Sequence, residues 1–387
     1  MKTMKMRLTK SQRGFSLLEL MIAATLGVLV ILAMTSLFKT GMSTIFTVTQ
    51  RAETQQNMRA AVELMTKDIS LAGSGLPSGG LQLPTAGGAI KVACNYQNGT
   101  CYVPGDVYNA NYMTGILPGF GNGVQNSAVI AAAPAATNDS ITSIYCDYNF
   151  PLTNFTFAFP SPTSATATTI NAAVTPNNIL APGGLNVGDL MLFTVSSAGN
   201  GTTSQGTSTV QTAAAVGEIT GVTPGTPAGI TFAYADSLNF NQAVGDANSL
   251  AYVIKNSMGG GTTVTACRLE AVTYFLQVPA AGGTVQTPRL MRQVNALPAV
   301  AVADNIINLQ FSYDVISATT GLMNANLANV IAAGDSPALI QKVNMWVMGQ
   351  SVIASGDKSQ SMYLASSVST RNMSFCNSYS NSTTVCQ

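Results

Sequence analysis

Lys10-Ser11-Gln12-Arg13-Gly14-Phe15-Ser16-Leu17-Leu18-Glu19-Leu20-Met21 joins two stretches of opposite character. Upstream, residues 1–14 carry Lys2, Lys5, Arg7, Lys10 and Arg13 and no acid. Downstream, Phe15 to Phe38 is apolar for 24 residues apart from Glu19 and a few small hydroxyls. As a helix this segment would be about 36 Å long, enough for a hydrocarbon core of ~30 Å. Basic residues flank only its amino-terminal side, so the positive-inside rule keeps the start cytoplasmic and exports the rest. A secretory signal has a shorter apolar core closed by a small-residue cleavage site, and no A-x-A pattern closes this one. A plain signal anchor would satisfy these observations as they stand.

Two residues of the junction ask for more than an anchor. Gly14 offers a small, flexible position where a protease must approach the backbone closely. Glu19 places an ionisable group inside the span, which costs ~2.5–3.5 kcal/mol on insertion scales and normally marks a function. The junction closely resembles the class III signal of type IV prepilins. That resemblance implies a membrane-embedded aspartyl prepilin peptidase that cuts between Gly14 and Phe15 and N-methylates Phe15. It also implies that Glu19 pairs with the terminal amine of a neighbouring subunit and fixes axial register during assembly. At 4 Å and an effective dielectric near 20, such a pair gains about 4 kcal/mol, enough to offset burying the charge. The simpler role, offsetting the helix dipole from the first turn, stands beside it.

From Lys39 to Ala72 the pattern becomes amphipathic. Met58, Val62, Met65, Ile69 and Ala72 follow the spacing of one helical face. Arg59, Glu63 and Lys67 form opposite-charge i,i+4 pairs on the wet side. No proline precedes Pro77, and Gly73-Ser74-Gly75-Leu76-Pro77 supplies a terminator. One long helix from about Phe15 to Ala72 is predicted, with Gly41, Ser43 and Thr44 as its weakest point.

Beyond Pro77, short β-rich runs alternate with Gly, Pro, Asn and Ser clusters. Ile307–Val315 alternates strictly and predicts a strand with one buried face. Ile141–Tyr145, Leu190–Val195, Ile230–Ala233, Leu250–Ile254, Val272–Val278 and Val343–Val352 are read as further strands. The Ala/Thr/Gly-rich stretches 161–187 and 197–228 are read as long loops or decorations. The fold class is therefore α+β: one long amino-terminal helix followed by a β-rich globular head. The division is a leader (1–14), a transmembrane half of the helix (15–38), an amphipathic half (39–76) and an exported head (77–387).

Several runs resemble, in order, the PilW family of minor pilins. They are Asn138-Asp139-Ser140-Ile141 before Tyr145, Gly188-Asp189-Leu190-Met191-Leu192, Tyr274-Phe275-Leu276 with Leu290-Met291-Arg292, Val302–Tyr313, and Ser369-Thr370-Arg371-Asn372. The chain is longer than that pattern, through insertions. The resemblance implies a subunit built into a type IV pilus at its initiating tip complex, serving adhesion and twitching motility. Its partners would be the inner membrane, the prepilin peptidase and other major and minor pilins. The protein would wait in the inner membrane, then join the pilus on the cell surface. Two other readings stay open: a pseudopilin of a type II secretion system, and a tip adhesin or DNA-uptake receptor whose inserted loops bind a ligand.

All six cysteines, Cys94, Cys101, Cys146, Cys267, Cys376 and Cys386, lie beyond the apolar span. In an exported domain an even number points to disulfides, with free thiols as the alternative. Cys376–Cys386 would close a small carboxy-terminal loop, as pilin-like proteins often do. Cys94–Cys101 is the next local pair, and Cys146 with Cys267 remains.

Composition narrows the chemistry. Histidine is absent, which removes the commonest general base and the commonest transition-metal ligand. No phosphate-cradling GxxxxGK[ST], GxSxG elbow, EF-hand loop or CxxC occurs. Gly119-Phe120-Gly121-Asn122-Gly123 reads as a turn. Asp139, Asp147, Asp189 and Asp314 would make a calcium site only if the fold joined them. No catalytic residue, cofactor or metal is assigned. Removing the five leader cations from the 17 Lys and Arg leaves 12 against 16 acids, a balance of −4 that offers no global attraction for nucleic acid.

Overall fold

The computed structural model describes residues 14–373. It excludes 78–79, 95–100, 103–111, 122–137, 151–154, 160–168, 181–183, 199–209, 258–262, 278–287, 318–319 and 352–359, and the single positions 86, 89, 149, 235, 244, 296 and 371. Helix α1 spans Leu17–Ser70, 54 residues. It continues through Gly41, Ser43 and Thr44, the point of lowest helix propensity. The hydroxyls there turn inward to the helix's own carbonyls: Ser43 Oγ donates to Thr40 O at 2.9 Å and Thr44 Oγ1 to Thr40 O at 2.9 Å. Thr25, Thr35 and Thr47 do the same to carbonyls three or four residues back. Bonded in this way, polar side chains are tolerable in an apolar helix.

Two compact units divide within α1, between Glu53 and Thr54. In the first, the helix is apolar and uncovered: Phe15 is 83% exposed, and Leu18, Leu29, Ile31, Leu37 and Phe38 are exposed too. This is the helix that by length and composition can cross a membrane.

The second unit holds the remainder of α1 and the sheets. In chain order the first strands are β1 (Leu81–Gln82), β2 (Ala93–Cys94), β3 (Cys101–Tyr102), β4 (Tyr112–Met113), β5 (Ile116–Gly119) and β6 (Ser140–Cys146). Then come β7 (Thr156–Ala158), β8 (Thr169–Thr175), β9 (Leu190–Ala198), β10 (Val210–Glu218), β11 (Gly221–Thr223) and β12 (Ala228–Ala233). A short helix, α2 (Leu250–Ser257), precedes β13 (Thr263–Gln277), β14 (Arg289–Val294) and β15 (Val300–Asp304). The last four are β16 (Ile306–Ile316), β17 (Met323–Leu327), β18 (Ile340–Ser351) and β19 (Gln360–Ser369).

Among the described residues every strand pairing is antiparallel. A seven-stranded sheet runs β10-β9-β13-β14-β15, with β6 on β13 and β5 on β6. Its backbone is β13, whose first half pairs with β9 and whose second half lies between β6 and β14. A four-stranded sheet, β17-β16-β18-β19, follows it in the chain. A second four-stranded sheet, β11-β12-β8-β7, carries its own apolar core with Phe193, Phe232 and α2.

The expected stripe of α1 is the seam of the main core. Met58, Val62, Met65, Ile69 and Ala72 are all buried against Tyr145, Tyr274, Phe311, Tyr313, Val343 and Val347. Four of these helix side chains, at roughly 1.5–3 kcal/mol each, contribute about 6–12 kcal/mol as an upper bound. Gly349 makes the contact close: a Cβ there would lie 2.9 Å from both Met58 Sδ and Thr54 Cγ2. Arg59, Glu63 and Lys67 stay exposed and take no part in the close ion pairs among the described residues.

Two expectations are corrected. Leu250–Ile254 is a helix, not a strand, because Ser249 caps it: its Oγ accepts from Tyr252 N at 3.0 Å and its carbonyl from Val253 N at 3.0 Å. Leu250, Val253 and Ile254 then share one buried face at helical spacing. The described parts of 161–187 and 197–228 hold strand β8, the end of β9, β10, β11 and the start of β12 where long loops are expected, and 161–168, 181–183 and 199–209 lie outside the described residues. Their alternation is carried by Ala, Thr and Ile, as in the buried Ile170, Ala172 and Val174 of β8. Small residues suffice there because Phe157, Phe193 and Phe232 fill the space between the strands, meeting edge to face.

Candidate functional site: the signal helix and its anchorage

Gly14 and Phe15 lie just before α1, with nothing within 4 Å of a Cβ built on Gly14. Ser16 O accepts the first helical bond, from Leu20 N at 3.1 Å. Glu19 falls in the first turn, where a carboxylate faces the positive end of the helix dipole. Gly14, Phe15 and Glu19 are thus all exposed.

At its other end the helix is locked to the sheets by a residue that sequence reading passed over. Asp68 is 2% exposed, on the buried stripe between Met65 and Ala72. Tyr274 Oη donates to its Oδ2 at 2.6 Å, Arg292 Nε to Oδ2 at 2.8 Å, and Tyr145 Oη to Oδ1 at 3.1 Å. One carboxylate thereby gathers strands β6, β13 and β14. Burial, then the Asp68 charge, pushes the Tyr145 and Tyr274 phenols well above their ordinary range. Burial would lower Arg292, and its bond to Asp68 more than reverses this. All three partners stand in the runs quoted above for their order along the chain. A usable signal was present: an acid on an apolar stripe needs buried donors.

Other members of those runs are also braces. Asn138 and Asp139 stitch β6 to β16: Asp139 Oδ2 accepts from Phe311 N at 3.0 Å and Asn138 Oδ1 from Leu309 N at 3.1 Å. Asp139 Oδ1 also accepts from Gly121 N at 2.9 Å, inside the glycine-rich turn. Thr370 Oγ1 donates to Ile340 O at 2.7 Å.

Cys146 and Cys267 are joined by a disulfide, Cα to Cα 5.7 Å. Cys146 faces Leu269 in register, so Cys267 is its diagonal neighbour on the same sheet face. The turn leaving α1 rests on this bridge, since a Cβ at Gly75 would collide with Cys146 Sγ. Cys94 and Cys101 are directly opposite each other across β2 and β3. Cys376 and Cys386 lie outside the described residues.

Of the four aspartates considered for calcium, Asp147 is paired with Arg268 and Asp314 with Lys342 at 3.2 Å. Asp139 is held by amides, as is Asp189, which accepts from Asn186 N at 2.9 Å. Among the described residues no group of three or more His, Cys, Asp or Glu is placed to hold a metal. An open groove of about 950 Å³ flanks α1 in the second unit, lined by Leu64, Val294, Leu297, Val300 and Val302 with Glu63 and Lys67.

An uncovered apolar helix that by length and composition can cross a membrane, followed by antiparallel sheets, defines the class: an α+β protein of pilin-like architecture. Residues 9–35 match the prokaryotic N-terminal methylation motif, so the chain carries a type IV pilin-like prepilin signal. The motif implies processing by a prepilin peptidase and assembly with other pilins, and it supports a structural pilin or pseudopilin subunit over an enzyme. No curated protein and no solved structure matches the chain.

Proposed function

We propose that this chain is a PilW-like minor pilin, cut between Gly14 and Phe15, N-methylated at Phe15 and built into a type IV pilus within the complex that initiates it. The observation that carries the reading is the prepilin signal at residues 9–35, most of which forms the start of an uncovered apolar helix. Glu19 then pairs with the terminal amine of a neighbouring subunit, and the apolar groove beside α1 offers a surface for that neighbour. Cys94–Cys101 and Cys376–Cys386 are proposed as further disulfides. The in-register facing of the first pair supports it.

The test complements a deletion strain with wild type, Gly14→Val and Glu19→Ala. Wild-type protein is expected to begin at N-methylated Phe15 by intact mass, and Gly14→Val to remain uncut. Glu19→Ala is expected to be cut normally yet to be lost from sheared pili, because the neighbour's amine loses its counter-charge. Normal piliation and recovery of Glu19→Ala would refute the register role. Recovery with a secretion apparatus instead of pili would make the chain a pseudopilin.

A further inference from the structure

The sheet β17-β16-β18-β19 has two unlike faces. Leu309, Phe311, Val343, Met345 and Val347 point inward to the core that holds α1. By the two-residue period of a strand, Asn308, Gln310, Asn344, Trp346, Met348 and Tyr363 point outward. Register places them together: Gln310 faces Trp346, and Asn308 faces Met348, which faces Tyr363. Trp346 is the single tryptophan of the chain, and none of the buried cores contains it. Tyr363 is 73% exposed. Their rings are 27° from parallel with centroids 6.3 Å apart, an aromatic pair that spans β18 and the edge strand β19.

Around the rings, Met348 and Ala365 are the aliphatic neighbours, and the amides of Asn308, Gln310 and Asn344 supply the polar ones. Gln310 Nε2 donates to Asn308 Oδ1 at 3.2 Å, and Asn344 Nδ2 to Asn326 Oδ1 and Asp314 Oδ1, each at 3.1 Å. These bonds orient the amides; Asn308 keeps donor capacity on Nδ2, and Asn344, both of whose N–H groups are used, keeps its Oδ1 as acceptor. Among the described residues the ionic groups on this face are Lys342 and Asp314, at one end and paired with each other. A nucleic acid or an anionic lipid surface would need unpaired cations here. A protein docking by apolar burial would need an apolar centre wider than Trp346, Met348 and Tyr363 provide. Stacking rings flanked by oriented amides, without net charge, suit a ligand with apolar C–H faces and hydroxyl edges.

We propose that this outward face binds a neutral, β-linked pyranose glycan. Such a chain is an extended ribbon that can lie along the strands of a sheet face. One sugar ring stacks on Tyr363 and Trp346 while its hydroxyls bond the amides of Asn308, Gln310 and Asn344. The assignment is independent of how the amino terminus is processed, and it uses the sheet itself, not the inserted loops.

Trp346 makes the face its own reporter. Full-length protein in a non-glycosidic detergent is titrated with cellohexaose and chitohexaose, following tryptophan emission, with calorimetry for variants. A saturable emission change is expected with at least one of them, little altered by added salt because no ion pair forms. Tyr363→Ala, at an exposed position that the fold does not need, is expected to weaken binding about tenfold. Trp346→Phe, read by calorimetry, is expected to weaken it less, since a ring remains. Absence of binding for both oligosaccharides, or full affinity in Tyr363→Ala, would overturn the proposal. So would self-association that Tyr363→Ala abolishes in the absence of oligosaccharide binding, which would assign the face to a second copy.

Discussion

Asp68 does at residue scale what the rest of the stripe does by area. The apolar positions of α1 fix which face turns inward, but burial alone is non-directional and tolerates small slides. A carboxylate that accepts from Tyr145, Tyr274 and Arg292 has one position in which all are satisfied. It sets the axial position of the helix against β6, β13 and β14. Asp68→Asn is expected to destabilise the second unit by roughly 2–4 kcal/mol, since half-buried Arg292 loses its counter-charge and the two phenols lose a charged acceptor. Tyr274→Phe removes one donor and is expected to cost about 1–2 kcal/mol. Denaturant unfolding of the three proteins checks both. Equal losses for Asp68→Asn and Tyr274→Phe would mean that the charge pair with Arg292 adds nothing beyond a neutral hydrogen bond.

At the scale of elements, legibility in the sequence followed the strength of the local pattern. The long helix was readable because its signals agree: no proline, a stripe at helical spacing and a glycine terminator. Strands β6, β9, β16 and β18 were readable from runs of large β-branched and aromatic residues. Leu250–Ile254 was not, since a short apolar run has no decisive period and only Ser249 tells helix from strand. Strands β8 and β10 were missed because Ala and Thr resemble loop composition until packed on phenylalanines far away in the chain. The diagonal bridge between Cys146 and Cys267 joins elements separated by 121 positions, and no local signal announces such a partnership. Closing a loop of that length restricts the unfolded chain by up to about 5 kcal/mol. Replacing both cysteines with serine is expected to lower unfolding free energy by about 2–5 kcal/mol and to loosen the Gly73–Gly75 turn resting on the bridge. Thermal melts and proteolysis at that turn measure the two effects. An unchanged melting temperature would show that the bridge restricts little in the unfolded state.

Across the whole molecule, buried carboxyls outside α1 make stability depend on pH in a direction opposite to the usual acid unfolding. Glu218, 3% exposed at the end of β10, has its carboxyl pushed up to about 7, chiefly by burial. Hydrogen bonds from Ser237 Oγ and Leu238 N oppose this, and neighbouring Asp236 adds to it. Asp139 and Asp189 are shifted upward as well, again mainly by burial. A carboxyl raised in the folded state holds its proton more tightly there than in the unfolded chain. Its contribution is therefore full below the unfolded value of 4.5 and declines as pH rises to about 7, levelling beyond. Asp314 runs the other way. Burial pushes it up, but Asn326 N, Lys342 and Asn344 outweigh that and hold it low, so its contribution is lost only as pH falls below the ordinary carboxylate range. Between pH 5 and 7.5 the Glu218 term dominates, and unfolding free energy is expected to fall by roughly 1–3 kcal/mol. Glu218→Gln keeps a side chain of the same shape without the titration and is expected to flatten this slope while leaving the slope below pH 4 in place. Denaturant unfolding followed by the emission of Trp346, at half-unit steps of pH, supplies the curve for each protein. A wild-type stability that rises through this window, or one that Glu218→Gln leaves unchanged, would show that Glu218 is ionised in the folded state and that its hydrogen bonds outweigh its burial.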